Sequence, residues 1–168
     1  MEEYLEWFQQ KYIDNNNSIL ISECIIKNIT DLKKYNRFIK NSQKIKVLND
    51  NQYIIGLIHK NTGEILSTLF ITVMNKEIPF IENSANYRGI QWSYAYTLDD
   101  DMIRRKGLST ILRNFSIYWA NEENMDYIHS IPFEGAYSNN IVNKFGLKKY
   151  TYYDTDNYFS KLEDIIIK

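Results

Sequence analysis

Arg104-Arg105-Lys106-Gly107-Leu108-Ser109-Thr110 joins three cations to a glycine and two small hydroxyl residues. Upstream, Ile90, Trp92, Tyr94, Tyr96 and Leu98 alternate with Gln91, Ser93, Ala95 and Thr97, the period of a strand with an aromatic face. Downstream, Leu108, Ile111, Leu112, Phe115, Tyr118 and Trp119 recur at helical steps. The basic segment therefore links a strand's end to a helix's start, where the first amides lack intrahelical partners and point outward. Such an end suits phosphate. Gly107 and Ser109 leave the backbone open to close approach, and the cations favour a polyanion there. The same residues also read as a turn carrying solvated charge, and the segment alone does not separate the two readings.

The remaining pattern supplies a scaffold. Tyr4, Leu5, Phe8 and Tyr12 predict a short amphipathic helix ending in Asn15-Asn16-Asn17. Ser18 to Ile26 reads as a buried strand, followed by Thr30 as a helix cap and a helix burying Leu32, Tyr35, Phe38 and Ile39. Tyr53–His59 and Ile65–Val73 flank Lys60-Asn61-Thr62-Gly63-Glu64, a hairpin turn. After the long helix come a strand at Tyr127–Ile131, a brief helix capped by Ser138 and ended by Gly146, and a last strand at Leu147–Tyr153. The strand–helix–strand step after Leu98 demands a right-handed parallel crossover.

In that setting Arg104-x-x-Gly107-x-Ser109 resembles the Arg/Gln-x-x-Gly-x-Gly/Ala signature of the GNAT superfamily of acyl-CoA-dependent N-acyltransferases. Ser138, Ile141, Lys144, Phe145, Gly146 and Leu147 are similar to the family's second signature, in the expected order. The resemblance covers residues 18–155, its specific part Thr97 to Tyr150, and leaves Tyr158 to Lys168 outside. It implies an α+β fold: a mixed, mostly antiparallel twisted sheet with a parallel, splayed central pair, flanked by helices. It implies that acetyl-CoA, as acyl donor, lies against Arg104, Arg105, Lys106, Gly107, Leu108, Ser109 and Thr110, with Asn139, Asn140 and Lys144 contributing. The amine then attacks the thioester directly, and by analogy a backbone amide near Leu98 holds the oxyanion.

Three departures accompany the resemblance. Val142 stands where the family carries a tyrosine acid, and Gly135 where an asparagine touches the pantetheine arm, with Asn139 and Asn140 one turn further on as replacements. The Asp99-Asp100-Asp101 loop is long and acidic beside a pyrophosphate site. Glu134, at a strand end, is the candidate base and Tyr137 the candidate acid, although Tyr137 is also one of 14 tyrosines. His59 and His129 lack partners at ligand spacing and read as structural, so no metal is expected. Glu64 reads as a solvated turn residue. Trp92, Tyr94 and Tyr96 line an acceptor cleft or fill core.

Composition narrows the classes. The chain has 168 residues, 20 Lys and Arg against 21 Asp and Glu, and one cysteine, Cys24. That is one domain, 1–168, with an N-terminal helix over 1–15 and a C-terminal extension over 155–168. The near-neutral charge argues against nucleic acid as partner, and no apolar run is long enough to span a membrane. The acidic N-terminus is unlike a signal peptide, and a lone cysteine suits a reducing cytoplasm. The expectation is an N-acetyltransferase for a small-molecule or protein amine, as a monomer or homodimer. Two alternatives stand beside it: an inactive CoA-binding or interaction module, and a toxin-type acetyltransferase acting on aminoacyl-tRNA.

Overall fold

Abundant aromatic and β-branched side chains pack well on pleated surfaces, and this chain places them in a seven-stranded sheet. The computed structural model describes residues 1–39, 44–130 and 143–165. Its helices are α1 (Glu2–Phe8), continued by a π-helical turn at Gln9–Ile13, α2 (Ile19–Ser22), α3 (Leu32–Phe38) and α4 (Leu108–Glu122). Its strands are β1 (Cys24–Asn28), β2 (Gln52–His59), β3 (Ile65–Met74), β4 (Gly89–Thr97), β5 (Tyr127–Ser130), β6 (Lys148–Tyr152) and β7 (Thr155–Lys161). The strand order is β1-β2-β3-β4-β5-β7-β6. β1 is antiparallel to β2, and β7 to both β5 and β6, whereas β4 and β5 are parallel. This is the mixed, mostly antiparallel sheet with one parallel pair that the sequence predicts.

The parallel register runs from Gly89↔Tyr127 to Trp92↔Ser130. A Cβ on Gly89 would meet the Tyr127 carbonyl at 2.5 Å and its ring at 2.6 Å, so glycine is what lets the two strands start together. Past Trp92, β4 loses cover: Ile90 and Trp92 are buried, Tyr94, Tyr96 and Thr97 are half-buried, and Ala95 is exposed.

By contact clustering the chain forms two compact units, Met1–Phe70 with Tyr94–Phe115, and Ile71–Ser93 with Ser116–Lys168. The first builds its core from Ile29, Tyr35, Ile39, Ile54, Ile65 and Phe70, against which Tyr94 and Tyr96 pack. Phe8 meets Phe115 edge to face at 5.4 Å, tying α1 to the first half of α4. The second packs Ile78, Tyr127 and Phe159 with Phe80, Tyr87 and Tyr150. There, the Trp92 indole Nε1 donates to Ser116 Oγ at 2.8 Å and its ring meets Phe145 at 5.4 Å.

Several local expectations change. Ser18 to Ile26 does not form one strand: Asn16 Oδ1 accepts from the Ser18 amide, Ser18 caps α2, and the extended chain begins only at Cys24. Helix α3 is capped by Asp31, whose carboxylate accepts from the Lys33 and Lys34 amides at 3.1 Å each, not by Thr30. The segment taken as a C-terminal extension contains β7, which lies between β5 and β6 in the sheet. The Tyr153–Asp154 turn into it has φ of 47° and 58°, a two-residue reversal built without glycine. Gly146 has the expected positive φ, 78°. The Ser138 cap lies outside the described residues.

Candidate functional site

Asp100 organises the turn between β4 and α4. Its amide donates to Leu98 O, its carbonyl accepts from the Ile103 and Arg104 amides at 2.9 and 2.8 Å, and its carboxylate accepts from the Met102 amide at 2.8 Å. Asp99 pairs with Arg104 at 3.0 Å, both well exposed. The acidic run that looked odd beside an anion site is thus partly spent on shaping the turn and on one exposed pair, which phosphate can replace at little cost.

Arg105 and Gly107 then take left-handed φ of 59° and 85°, and swing the chain into α4. At Gly107 nothing lies within 4 Å of where a Cβ would sit, so the backbone faces open space. Leu108, 1% exposed, anchors the helix start. The Ile111 amide donates to Gly107 O, so the amides of residues 108 to 110 precede the helical ladder. Open backbone, outward amides and exposed Arg104, Arg105 and Lys106 together fit a pyrophosphate.

Sequence reasoning missed Arg113. One turn into α4 and 8% exposed, its guanidinium donates to both the Oγ and the carbonyl of Ser109. Burial pulls its pKa down to about 10, so it remains a cation at neutral pH beneath the turn. Its spacing four residues after Ser109 was the available signal, but an arginine beside an apolar stripe reads as surface.

Leu98 does not fit its expected role. Its amide donates to Leu66 O at 2.8 Å, and Ser67 Oγ donates to Tyr96 O at 2.9 Å, so residues 96 and 98 turn their polar edge toward β3. Strand alternation turns the Thr97 amide the other way, making it the better oxyanion donor. Glu134, Tyr137, Asn139, Asn140 and Val142 lie outside the described residues. Lys144 is exposed on a short helical turn. Trp92 is core. His59 Nδ1 accepts from the Asn61 and Thr62 amides, a turn staple. His129 shares a proton with Asn157 Oδ1 at 3.0 Å. Among the described residues no cluster could hold a metal ion, and no helix is long and apolar enough to cross a membrane.

No family model and no curated protein matches the sequence. Solved structures match the fold. A mutant of the AtaT toxin, bound to the C-terminus of the antitoxin AtaR and acetyl-CoA, is 10% identical over 84% of this chain and 94% of that one, with a TM-score of 0.61. The KacTA–DNA complex matches at 11% identity over 83% and 94%, TM-score 0.61. A GNAT-family acetyltransferase from Staphylococcus aureus matches at 15% identity over 83% and 99%, TM-score 0.59. The chain has the fold of the GNAT acetyltransferases.

Proposed function

We propose that the protein is an acetyl-CoA-dependent N-acetyltransferase. The observation that carries this reading is the turn at 104–110. On the fold of this family, it combines open backbone at Gly107, helix-end amides and three exposed cations where the donor's pyrophosphate would lie. The acetyl-CoA bound by the AtaT mutant supports the same donor here. In the reaction the amine nitrogen attacks the thioester carbon, the C–S bond breaks, and the departing thiolate takes up the proton the amine releases. The Thr97 amide is positioned for the oxyanion, and a thiolate of pKa ~8.5 is a fair leaving group without a strong acid, which suits Val142. Glu134 remains the proposed base and Tyr137 the alternative acid. Neither a nucleic-acid nor a membrane partner is part of this reading, and a homodimer is compatible with it.

A second reading keeps the chemistry and changes the acceptor to aminoacyl-tRNA. The toxin structures among the fold's neighbours favour it. So does the β6–β7 hairpin, which presents Lys148, Tyr152 and Tyr153 to solvent, residues able to meet phosphate and stack on bases. A thiol-release assay with acetyl-CoA against small amines, peptides and charged tRNA separates the readings. Release with one acceptor class identifies it. No release with any, despite acetyl-CoA binding, rejects the enzyme in favour of a binding module.

A further inference from the structure

Tyr35 of α3 is fully buried and Thr68 of β3 is 1% exposed, yet neither Tyr35 Oη nor Thr68 Oγ1 has a hydrogen-bond partner among the described residues. Thr68 lies near enough to ease ionisation of the Tyr35 phenol, but the two hydroxyls do not reach hydrogen-bond geometry. Buried polar atoms are rarely left so, and two from different elements at one place mark the seat of a missing partner. Around them stand Tyr94 and Tyr96 of β4, half-buried, with the Phe70 and Tyr94 rings 5.9 Å apart. These residues all belong to the unit that carries the 104–110 turn.

The cluster's electrostatics select the partner's charge. The Tyr35 phenol is pushed up to about 12, by burial first and then by Tyr96 and Tyr94. Tyr96 is raised by burial and by Tyr94. Negative charge is therefore resisted at each ring, whereas aromatic faces and hydroxyl oxygens both attract a cation. An ammonium has three donors and no acceptor, which hydroxyl oxygens match.

Resting on the acetyltransferase reading, we propose that Tyr35, Thr68, Tyr94 and Tyr96 form the acceptor subsite, and that it takes an alkylammonium group with no free carboxylate beside it. Tyr35 Oη and Thr68 Oγ1 accept from the ammonium, and the rings of Tyr94 and Tyr96 close over its alkyl stem. A neighbouring carboxylate would have to enter among phenols that disfavour anions.

The test deletes the two hydroxyls and keeps the shapes, with Tyr35→Phe, Thr68→Val and the double variant. Removing an unsatisfied buried hydroxyl is nearly neutral or stabilising, so folding is expected to hold, and a lowered Tm would itself contradict the missing partner. Butylammonium chloride is titrated into the free chain by NMR, with butyrate as the oppositely charged control. The expected result is saturable binding of butylammonium alone, weakened at least tenfold in the double variant, with KM for butylamine raised alike and KM for acetyl-CoA unchanged. Equal butylammonium binding in wild type and double variant, or equal binding of butyrate, overturns the subsite. Selective binding lost in the variant, from a wild type that releases no thiol, upholds the subsite and overturns the acetyltransferase reading.

Discussion

Gly107 and Arg113 do opposite things for the same turn: one leaves space, the other fills it with a buried charge. Because Gly107 has φ of 85° and open surroundings, Gly107→Ala is expected to cost ~1 kcal/mol of stability through backbone strain alone. Urea denaturation measures that, and a loss several times larger would mean the position is crowded. Arg113→Met removes a desolvated cation together with its hold on Ser109. Exchange of a buried charge for a similar apolar volume is often close to neutral, so stability should stay within about 1 kcal/mol. Acetyl-CoA affinity should fall about tenfold, ~1.4 kcal/mol, by calorimetry. Unchanged affinity would reduce Arg113 to packing. At this scale the glycine was legible because its spacing from Arg104 and Ser109 is a motif. The arginine was not, because nothing in sequence separates a cation that folds inward over a neighbouring turn from one that reaches solvent.

Edges decide much at the level of elements. β1 ends the sheet, and Gln9, on the π-helical turn after α1, covers it: its Oε1 accepts from the Ile26 amide at 2.8 Å and its Nε2 donates to Cys24 O at 3.0 Å. The side chain thereby imitates one rung of a further strand. Gln9→Leu leaves those backbone groups without it, and a loss of ~1–3 kcal/mol together with concentration-dependent association is expected by denaturation and sedimentation. A monomeric variant of wild-type stability would contradict this role. In β5, His129 is 7% exposed and its protonation is opposed by burial first, with Lys76 adding to that and Asn157 acting the other way. Its folded pKa lies below the ordinary 6.5, so as pH falls past that value the unfolded chain binds the proton first and stability declines. His129→Gln should therefore flatten the fall in stability between about pH 7 and about pH 5. The unaltered slope would show that other groups dominate. β7 escaped the sequence because Thr155-Asp156-Asn157-Tyr158-Phe159-Ser160-Lys161 has only two apolar residues, adjacent to one another. Its polar Asn157 and Ser160 are buried by pairing partners that only the folded sheet provides.

For the molecule as a whole, the order of strands and helices was legible because strong periodic segments such as 90–98 and 108–119 fix the type of each central element, and the crossover rule fixes the hand of their connection. The boundary between α2 and β1 was not, since Ile19, Ile21, Ile25 and Ile26 suit a strand and only the Ser18 cap makes the first of them helical. Acceptor chemistry was not legible either, because it rests on hydroxyls that burial leaves unpaired, and pairing is a property of the fold. The central claim, that this fold presents the 104–110 turn to the pyrophosphate of acetyl-CoA, is tested most directly by calorimetric titration of acetyl-CoA into wild type and Gly107→Glu, with circular dichroism to verify that both are folded. Nothing within 4 Å crowds the new side chain, and its charge and bulk stand where phosphate should lie. The account predicts binding to wild type and affinity at least about 100-fold weaker in the variant, ~2.7 kcal/mol. A folded Gly107→Glu protein that binds acetyl-CoA as tightly as wild type, or a wild type that does not bind it, would contradict the account.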